Sequence, residues 1–152
     1  MATAIVQSVM TVGLLRSPLP TAINKRVLLA CVEGNNDAVG LRMVADAFQL
    51  SGWDVQYLGA NVPTIALIKH IGEWKPDLVG LSVSFPQQLR VAKAVAAQMN
   101  ARFGEARPAR MLGGLAINRF NQLADMVGAD AFSTDAQAAV IDASRALNKG
   151  PL

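Results

Sequence analysis

Short apolar runs alternate along the chain with longer stretches in which apolar residues recur every three or four positions. The short runs predict β-strands over residues 27–32, 53–58, 78–83, 111–112 and 129–132. The periodic stretches predict helices over residues 37–50, 87–103, 117–127 and 135–147, and one more that begins at Pro63. The run 27–32 is apolar throughout, which favours a strand buried on both faces.

Strands that alternate with helices need crossover connections, and these predict a parallel sheet. Because such crossovers are right-handed, a reversal of strand order puts helices on both faces of the sheet. The expected fold class is therefore α/β, a flavodoxin-like, doubly wound, five-stranded parallel sheet with strand order 2-1-3-4-5.

Composition supports a globular domain and narrows the function classes. The chain has 152 residues, of which 52% are hydrophobic and 16% are charged, and this is enough apolar content for a full core. The net charge of +3 comes without a dense Lys/Arg cluster, so we expect no direct binding of nucleic acid. The apolar stretch in residues 1–24 is interrupted by Gln7, Gly13 and Arg16, so we expect no membrane span.

The chain divides into a leader, residues 1–24, and a domain, residues 25–150. Ile5, Val9 and Val12 of the leader share one helical face. The leader could be a short docking helix, through which another protein domain is contacted, or the linker of a longer protein. Cys31 is the only cysteine, which excludes an internal disulfide and favours a reducing, cytoplasmic setting. Within its apolar run we expect a buried, inert thiol.

Polar residues and glycines follow three of the predicted strands. Open parallel sheets bind ligands beyond the carboxyl ends of their strands, where the strand order reverses. The loops 33–38, 82–88 and 113–118 should meet there. Each feature also has a plainer explanation, since the glycines could form tight turns and Asp37 could cap a helix. Gly40, one turn into a helix, costs about 1 kcal/mol relative to Ala, which suggests that something packs closely against it.

The chain resembles the cobalamin-binding domains of methionine synthase, corrinoid methyltransferase proteins, cobalamin-dependent mutases and cobalamin-sensing regulators. The resemblance covers residues 25–147 and is carried by the spacing of Asn35, Asp37 and Gly40, by the stretch 41–63, by Ser82 and by Gly113-Gly114. It implies that a small-molecule ligand, cobalamin or another, binds at the three loops. The implied cofactor-binding residues are Asn35, Asp37, Val39, Gly40, Ser82, Ser84, Gln88, Gly113 and Gly114.

Two departures from the family pattern concern cobalt. The family carries D-x-H-x-x-G after its first strand, and its histidine displaces dimethylbenzimidazole and binds cobalt from below. Here Asp37 stands in place of that histidine and Asn35 in place of the aspartate. A carboxylate is a poorer cobalt ligand than imidazole, so we expect no metal-ligating residue and no histidine-ligated cobalamin. Cobalamin with its own base or with water below, another ligand, or no ligand remain open.

No catalytic constellation is evident beside the predicted cleft. Its loops offer Glu33, Asp37, Ser82 and Ser84, with no neighbouring histidine or lysine to activate a serine. His70 is the only histidine, and it lies in the second predicted helix, where a structural role is expected. We therefore expect a sensory or regulatory ligand-binding module without catalysis of its own. The alternatives are a corrinoid carrier domain for a methyltransferase or mutase, and a cofactor-free signalling or protein-interaction domain.

Overall fold

The computed structural model describes residues 22–120, 122–133 and 135–148. Within them, five parallel strands form one sheet in the order β2-β1-β3-β4-β5. The predicted fold class and strand order are confirmed. The strands are β1 (Arg26–Val32), β2 (Asp54–Val62), β3 (Leu78–Ser82), β4 (Ala109–Gly113) and β5 (Ala131–Phe132).

Helices connect the strands and cover both faces of the sheet. They are α1 (Val39–Leu50), α2 (Thr64–Trp74), α3 (Leu89–Phe103), α4 (Leu115–Arg119), α5 (Leu123–Val127) and α6 (Ala136–Asn148). Two single 3₁₀ turns, Pro86–Gln88 and Gly104–Ala106, flank α3.

Strand β1 is an interior strand of the sheet, since it pairs with both β2 and β3, and it is buried from Val27 to Val32. Successive side chains of a strand point to opposite faces, so this one apolar run supplies two separate core clusters. Leu28, Ala30 and Val32 pack with α2, α3, α4 and α5 on one face. On the other face, Val27, Leu29 and Cys31 pack with α1 and α6. The prediction that Cys31 is buried is confirmed.

Most predicted boundaries differ from the structure by one or two residues, and the differences are larger in β2 and in the helix expected over 117–127. Helix α1 begins at Val39 rather than at residue 37. The helix expected over 117–127 is two short helices, because Phe120 has an extended backbone (φ −137°, ψ 71°) that interrupts the helical hydrogen bonds. Strand β2 runs four residues past its expected end at 58, because register shifts against β1 and a positive φ at Gly59 keep it paired up to Val62.

The N-terminal end of the described chain runs beside the end of α1, where the Ile23 N–H donates to the Gly52 carbonyl at 3.2 Å. Most of the predicted leader, residues 1–21, lies outside the described residues. Among the helices that the structure describes, none is both long and apolar enough to cross a membrane.

Candidate functional site

The loops after β1, β3 and β4 are joined by hydrogen bonds at the carboxyl edge of the sheet. The Asn35 side-chain amide donates to the Ser82 carbonyl at 2.9 Å, and the Gln88 side-chain amide donates to the Gly34 carbonyl at 3.2 Å. The Val83 N–H donates to the Gly113 carbonyl at 2.9 Å. The loops therefore meet where the strand order reverses, as the sequence predicts.

Beneath these loops lies a groove between α1 and α6, with a volume of about 430 Å³. Leu29, Gly80 and Met111 form its apolar floor on the sheet. Helix α1 contributes one wall, while Ala136 and Ala139 at the start of α6 contribute the opposite one. A deep apolar groove with a few polar groups at its mouth is the usual form of a small-molecule site.

Gly80 makes room for this floor in the middle of β3. A Cβ atom added there would lie 2.5 Å from Leu29 Cδ2, too close for two carbon atoms. Leu29 is fully buried, so it could move away only into the groove or the surrounding core. The glycine therefore preserves both the packing of Leu29 and the depth of the groove.

The backbone conformation and close packing at position 114 require a glycine. Its φ is +104°, and an added Cβ would lie 2.4 Å from the Val83 carbonyl oxygen and 2.8 Å from the Val83 nitrogen. Neither backbone atom can swing aside as the end of a side chain could. The plainer explanation, a tight backbone turn, therefore accounts for Gly114, although the residue also lines the groove.

Asn35 organises the loop after β1 from inside the protein. It is only 1% exposed, and its side-chain oxygen accepts a 3.1 Å hydrogen bond from the Asp37 N–H. This places the exposed Asp37 at the mouth of the groove. Because Ala38 occupies the cap position of α1 and no side chain caps that helix, the explanation of Asp37 as a helix cap is wrong.

Gly40 faces open space, since no heavy atom of the described residues lies within 4 Å of an added Cβ. The expected close packing against Gly40 is therefore not supplied by the described protein residues, and packing by a ligand stays a prediction. Gly40 instead lines the groove beside Val39, which leaves that part of the wall free for a ligand.

The predicted site residues form two groups in space. Asn35 and Gln88 brace the loops and do not line the groove. Gln88 accepts hydrogen bonds from the N–H groups of Ser84 and Phe85 in addition to its bond to Gly34. The others lie around the groove, and their contact with a ligand stays a prediction: Asp37, Val39, Gly40, Ser82, Ser84, Gly113 and Gly114.

The part of the groove wall that lies beyond β4 was not predicted from the sequence. Ser133 follows β5, is buried and donates to the Asp135 carbonyl at 2.7 Å, while Asp135 accepts from the Ala138 N–H at the start of α6. Both residues line the groove. The short polar stretch after the fifth predicted strand could have indicated these residues. Like the other three loops, it follows the carboxyl end of a parallel strand, where ligands bind.

His70 lies on the opposite face of the sheet from the groove. It belongs to α2, and its Nε2 atom is hydrogen-bonded to the Gln56 side chain of β2. In the described part of the chain, no three His, Cys, Asp or Glu side chains converge in a way that could hold a metal ion.

The chain is an α/β domain with a groove at the carboxyl edge of its parallel sheet. A family model for the B12 binding domain matches residues 25–141, so the chain belongs to the B12-binding domain family. The predicted family is thereby confirmed, and cobalamin is the cofactor that this family membership supports.

Two proteins and one solved structure illustrate the relationship. Dimethylamine corrinoid protein 3 of Methanosarcina acetivorans is 28% identical over 143 residues, which are 91% of this chain and 66% of that protein. The HTH-type transcriptional repressor CarA of Myxococcus xanthus is 36% identical over 63 residues, 41% of this chain and 22% of that protein. The crystal structure of a cobalamin-binding protein from Desulfitobacterium hafniense is 28% identical with a TM-score of 0.75, covering 81% of this chain and 59% of that one. The chain thus spans two thirds or less of each relative's length.

Proposed function

We propose that this chain is a corrinoid carrier domain, which holds cobalamin at the groove and presents it to a methyltransferase. The observation that carries the proposal is the groove itself, built by three hydrogen-bonded loops over an apolar floor in a chain of the B12-binding domain family. The similarity to a dimethylamine corrinoid protein over 91% of the chain supports the carrier role.

The residues of the groove fit the flat heteroaromatic end of cobalamin's nucleotide tail. The floor of Leu29, Gly80 and Met111 offers apolar contact without a protruding side chain at its centre. Ser82 and Ser84, both buried, line the groove with side chains that carry hydroxyl groups, suited to the polar parts of the tail. When bound, the corrin-held cobalt supplies the capacity to accept and donate a one-carbon group.

The apolar rim of the mouth suits both a corrin edge and a docked protein. Val39 is 74% exposed, Phe85 55% and Leu115 58%, and all three belong to the elements that surround the strand ends. Large apolar side chains exposed around one opening are typical of interaction sites. A methyltransferase partner would contact the bound corrinoid here.

Cobalamin would be held without a histidine below the cobalt. Among the described residues, Asp37 and Asp135 are the titratable side chains that line the groove, and His70 lies on the other face of the sheet. An imidazole ligand supplied by this domain is not part of the proposal.

The second candidate function is the sensory or regulatory ligand-binding module that the sequence favoured. The specific observation in its favour is the 36% identity over 63 residues to a transcriptional repressor. That match covers less than half of the chain, whereas the match to the corrinoid protein covers most of it. A cofactor-free interaction domain is the least supported, since family membership supports cobalamin binding.

Four further points stay predictions: the division into a leader (1–24) and a domain (25–150), contact with another protein domain through that leader, the lack of direct nucleic-acid binding, and a cytoplasmic location.

A spectroscopic experiment tests the proposed function. The purified chain is incubated in the dark with excess hydroxocobalamin, free corrinoid is removed by gel filtration, and the visible spectrum is recorded. We expect about one bound corrinoid per chain for the wild type and for the control His70→Ala, whose altered side chain lies away from the groove. A wild type that retains no corrinoid absorbance refutes both the carrier and the cobalamin-sensor proposals.

The Asp37→His variant tests the absence of histidine ligation, because it should change the spectrum of the bound corrinoid toward a nitrogen-ligated form. Oligomeric state then separates the two roles. A carrier keeps its mass on binding corrinoid, whereas a sensor that works by assembly changes it, and light scattering after gel filtration measures this difference.

A further inference from the structure

Two side chains from the sheet hold the backbone of the loop that carries Asp37. The Tyr57 hydroxyl of β2 donates to the Ala38 carbonyl at 3.3 Å. The Cys31 thiol of β1 donates to the Asp37 carbonyl at 3.6 Å, an ordinary distance for a sulfur donor. Consecutive carbonyl groups at the mouth of the groove are therefore held by two different strands.

Tyr57 also connects this loop to the first turn of α1. The Arg42 N–H donates to the same Ala38 carbonyl at 3.0 Å, and the Arg42 guanidinium lies 5.2 Å from the centre of the Tyr57 ring. One carbonyl thus receives a donor from the helix and a donor from the sheet. No side chain caps α1, and the Tyr57 hydroxyl supplies a hydrogen bond from β2 to the cap residue of this helix.

Both donors keep their protons at neutral pH. Burial raises the pKa of the Cys31 thiol to about 11, and burial likewise raises the pKa of the Tyr57 phenol. The two hydrogen bonds are therefore present throughout the range in which a cytoplasmic protein works.

We propose that Tyr57, assisted by Cys31, is a positioning residue for the mouth of the groove. It fixes the carbonyl of Ala38, and with it the direction of the Asp37 side chain on one side and the Val39–Gly40 wall on the other. The consequence for ligand binding rests on the proposed function: a corrinoid is held in place by a loop whose geometry depends on a hydroxyl group that does not line the groove.

The positioning is tested first without any ligand. Tyr57→Phe removes the hydroxyl and keeps the ring beside Arg42. We expect the backbone amides of Asp37 and Arg42, which donate to the Asn35 side chain and to the Ala38 carbonyl, to exchange with deuterium about three- to tenfold faster, since a hydrogen bond of ordinary net strength is lost, while amides of β3 and β4 are unchanged. The control is Val55→Ala, on the same face of β2, which removes apolar contact but no hydrogen bond. Unchanged exchange of the Asp37 and Arg42 amides in Tyr57→Phe overturns the proposal.

The ligand-bound test measures release of hydroxocobalamin from the loaded protein after dilution. We expect Tyr57→Phe to release hydroxocobalamin about three- to tenfold faster than the wild type. In a separate measurement, the thermal unfolding temperature of Tyr57→Phe should be no lower than that of Val55→Ala. Equal release rates in Tyr57→Phe and wild type overturn the ligand-binding consequence. A wild type that retains no hydroxocobalamin refutes the proposed function instead, and the exchange experiment then decides the positioning role by itself.

Discussion

Asn35 joins the loop after β1 to the end of β3, because its side-chain amide donates a 2.9 Å hydrogen bond to the Ser82 carbonyl. The same side chain accepts from the Asp37 N–H, so one buried residue satisfies polar groups of two loops. The family resemblance predicts that this position matches the aspartate that assists a ligating histidine. Here Asn35 serves as a structural brace.

Asn35→Ala should lower the free energy of unfolding by about 1–3 kcal/mol, since it leaves a buried carbonyl and a backbone N–H without their partner. Chemical denaturation with urea measures the change. Asn36→Ala is the matched control, because Asn36 is the exposed neighbour in the same loop and should change stability by less than about 0.5 kcal/mol. Equal effects of the two substitutions would contradict the bracing role.

The neighbouring glycines Gly113 and Gly114 should respond very differently to alanine. Gly114→Ala combines a positive φ with a contact of 2.4 Å to the Val83 carbonyl oxygen, and we expect a loss of at least about 1–3 kcal/mol. An added Cβ at Gly113 would lie 3.6 Å from the Ser133 carbonyl oxygen, an ordinary contact, so Gly113→Ala should be nearly neutral. Thermal unfolding of the pair measures the difference, and a larger loss for Gly113→Ala would show that the turn is described wrongly.

Gly80→Ala tests the floor of the groove. The added methyl group must push Leu29 aside, and overpacking of this kind costs about 1–3 kcal/mol. Because Gly80 lines the groove and the added methyl group lies beside Leu29 and Met111 of its floor, we expect hydroxocobalamin to bind about tenfold more weakly or worse. Titration followed by visible absorbance gives the affinity. Gly72→Ala, in α2 on the opposite face, is the control and should bind as the wild type does; equal affinity for Gly80→Ala would place the ligand elsewhere.

The buried thiol of Cys31 should make stability fall at high pH. Burial raises its pKa from 9.0 to about 11, so between these values the unfolded chain loses a proton that the folded chain keeps. Unfolding then becomes more favourable as pH rises, by at most about 1.4 kcal/mol for each pH unit. Denaturation of wild type and Cys31→Ala at a series of pH values isolates this contribution, because other titrating groups are common to both. Parallel pH profiles of the two proteins would contradict a thiol held protonated by burial.

Much of the architecture was predictable because local pattern and global fold agree. The apolar run that became β1 predicts a strand buried on both faces, and the alternation of strands with helices leaves few parallel topologies. The rule for strand ends then located the loops around Ser82 and Gly113. The boundary of α1 and the break at Phe120 were not predictable, since they depend on backbone contacts that are not encoded in hydrophobic spacing.

The sequence by itself determined the sheet, its strand order and the edge at which the three loops meet, because these follow from the spacing of apolar residues and from residue types at strand ends. The family followed from the resemblance of its motifs. Only the tertiary structure decided what each of those residues does. Gly114 leaves the space that the Val83 backbone occupies. Asn35 and Gln88 hold the loops together by hydrogen bonds, and Ser133 and Asp135 form part of the groove wall. Tyr57 reaches the loop of Asp37 from another strand. Each of these roles depends on distances between residues far apart in the chain, and such distances exist only once the chain is folded.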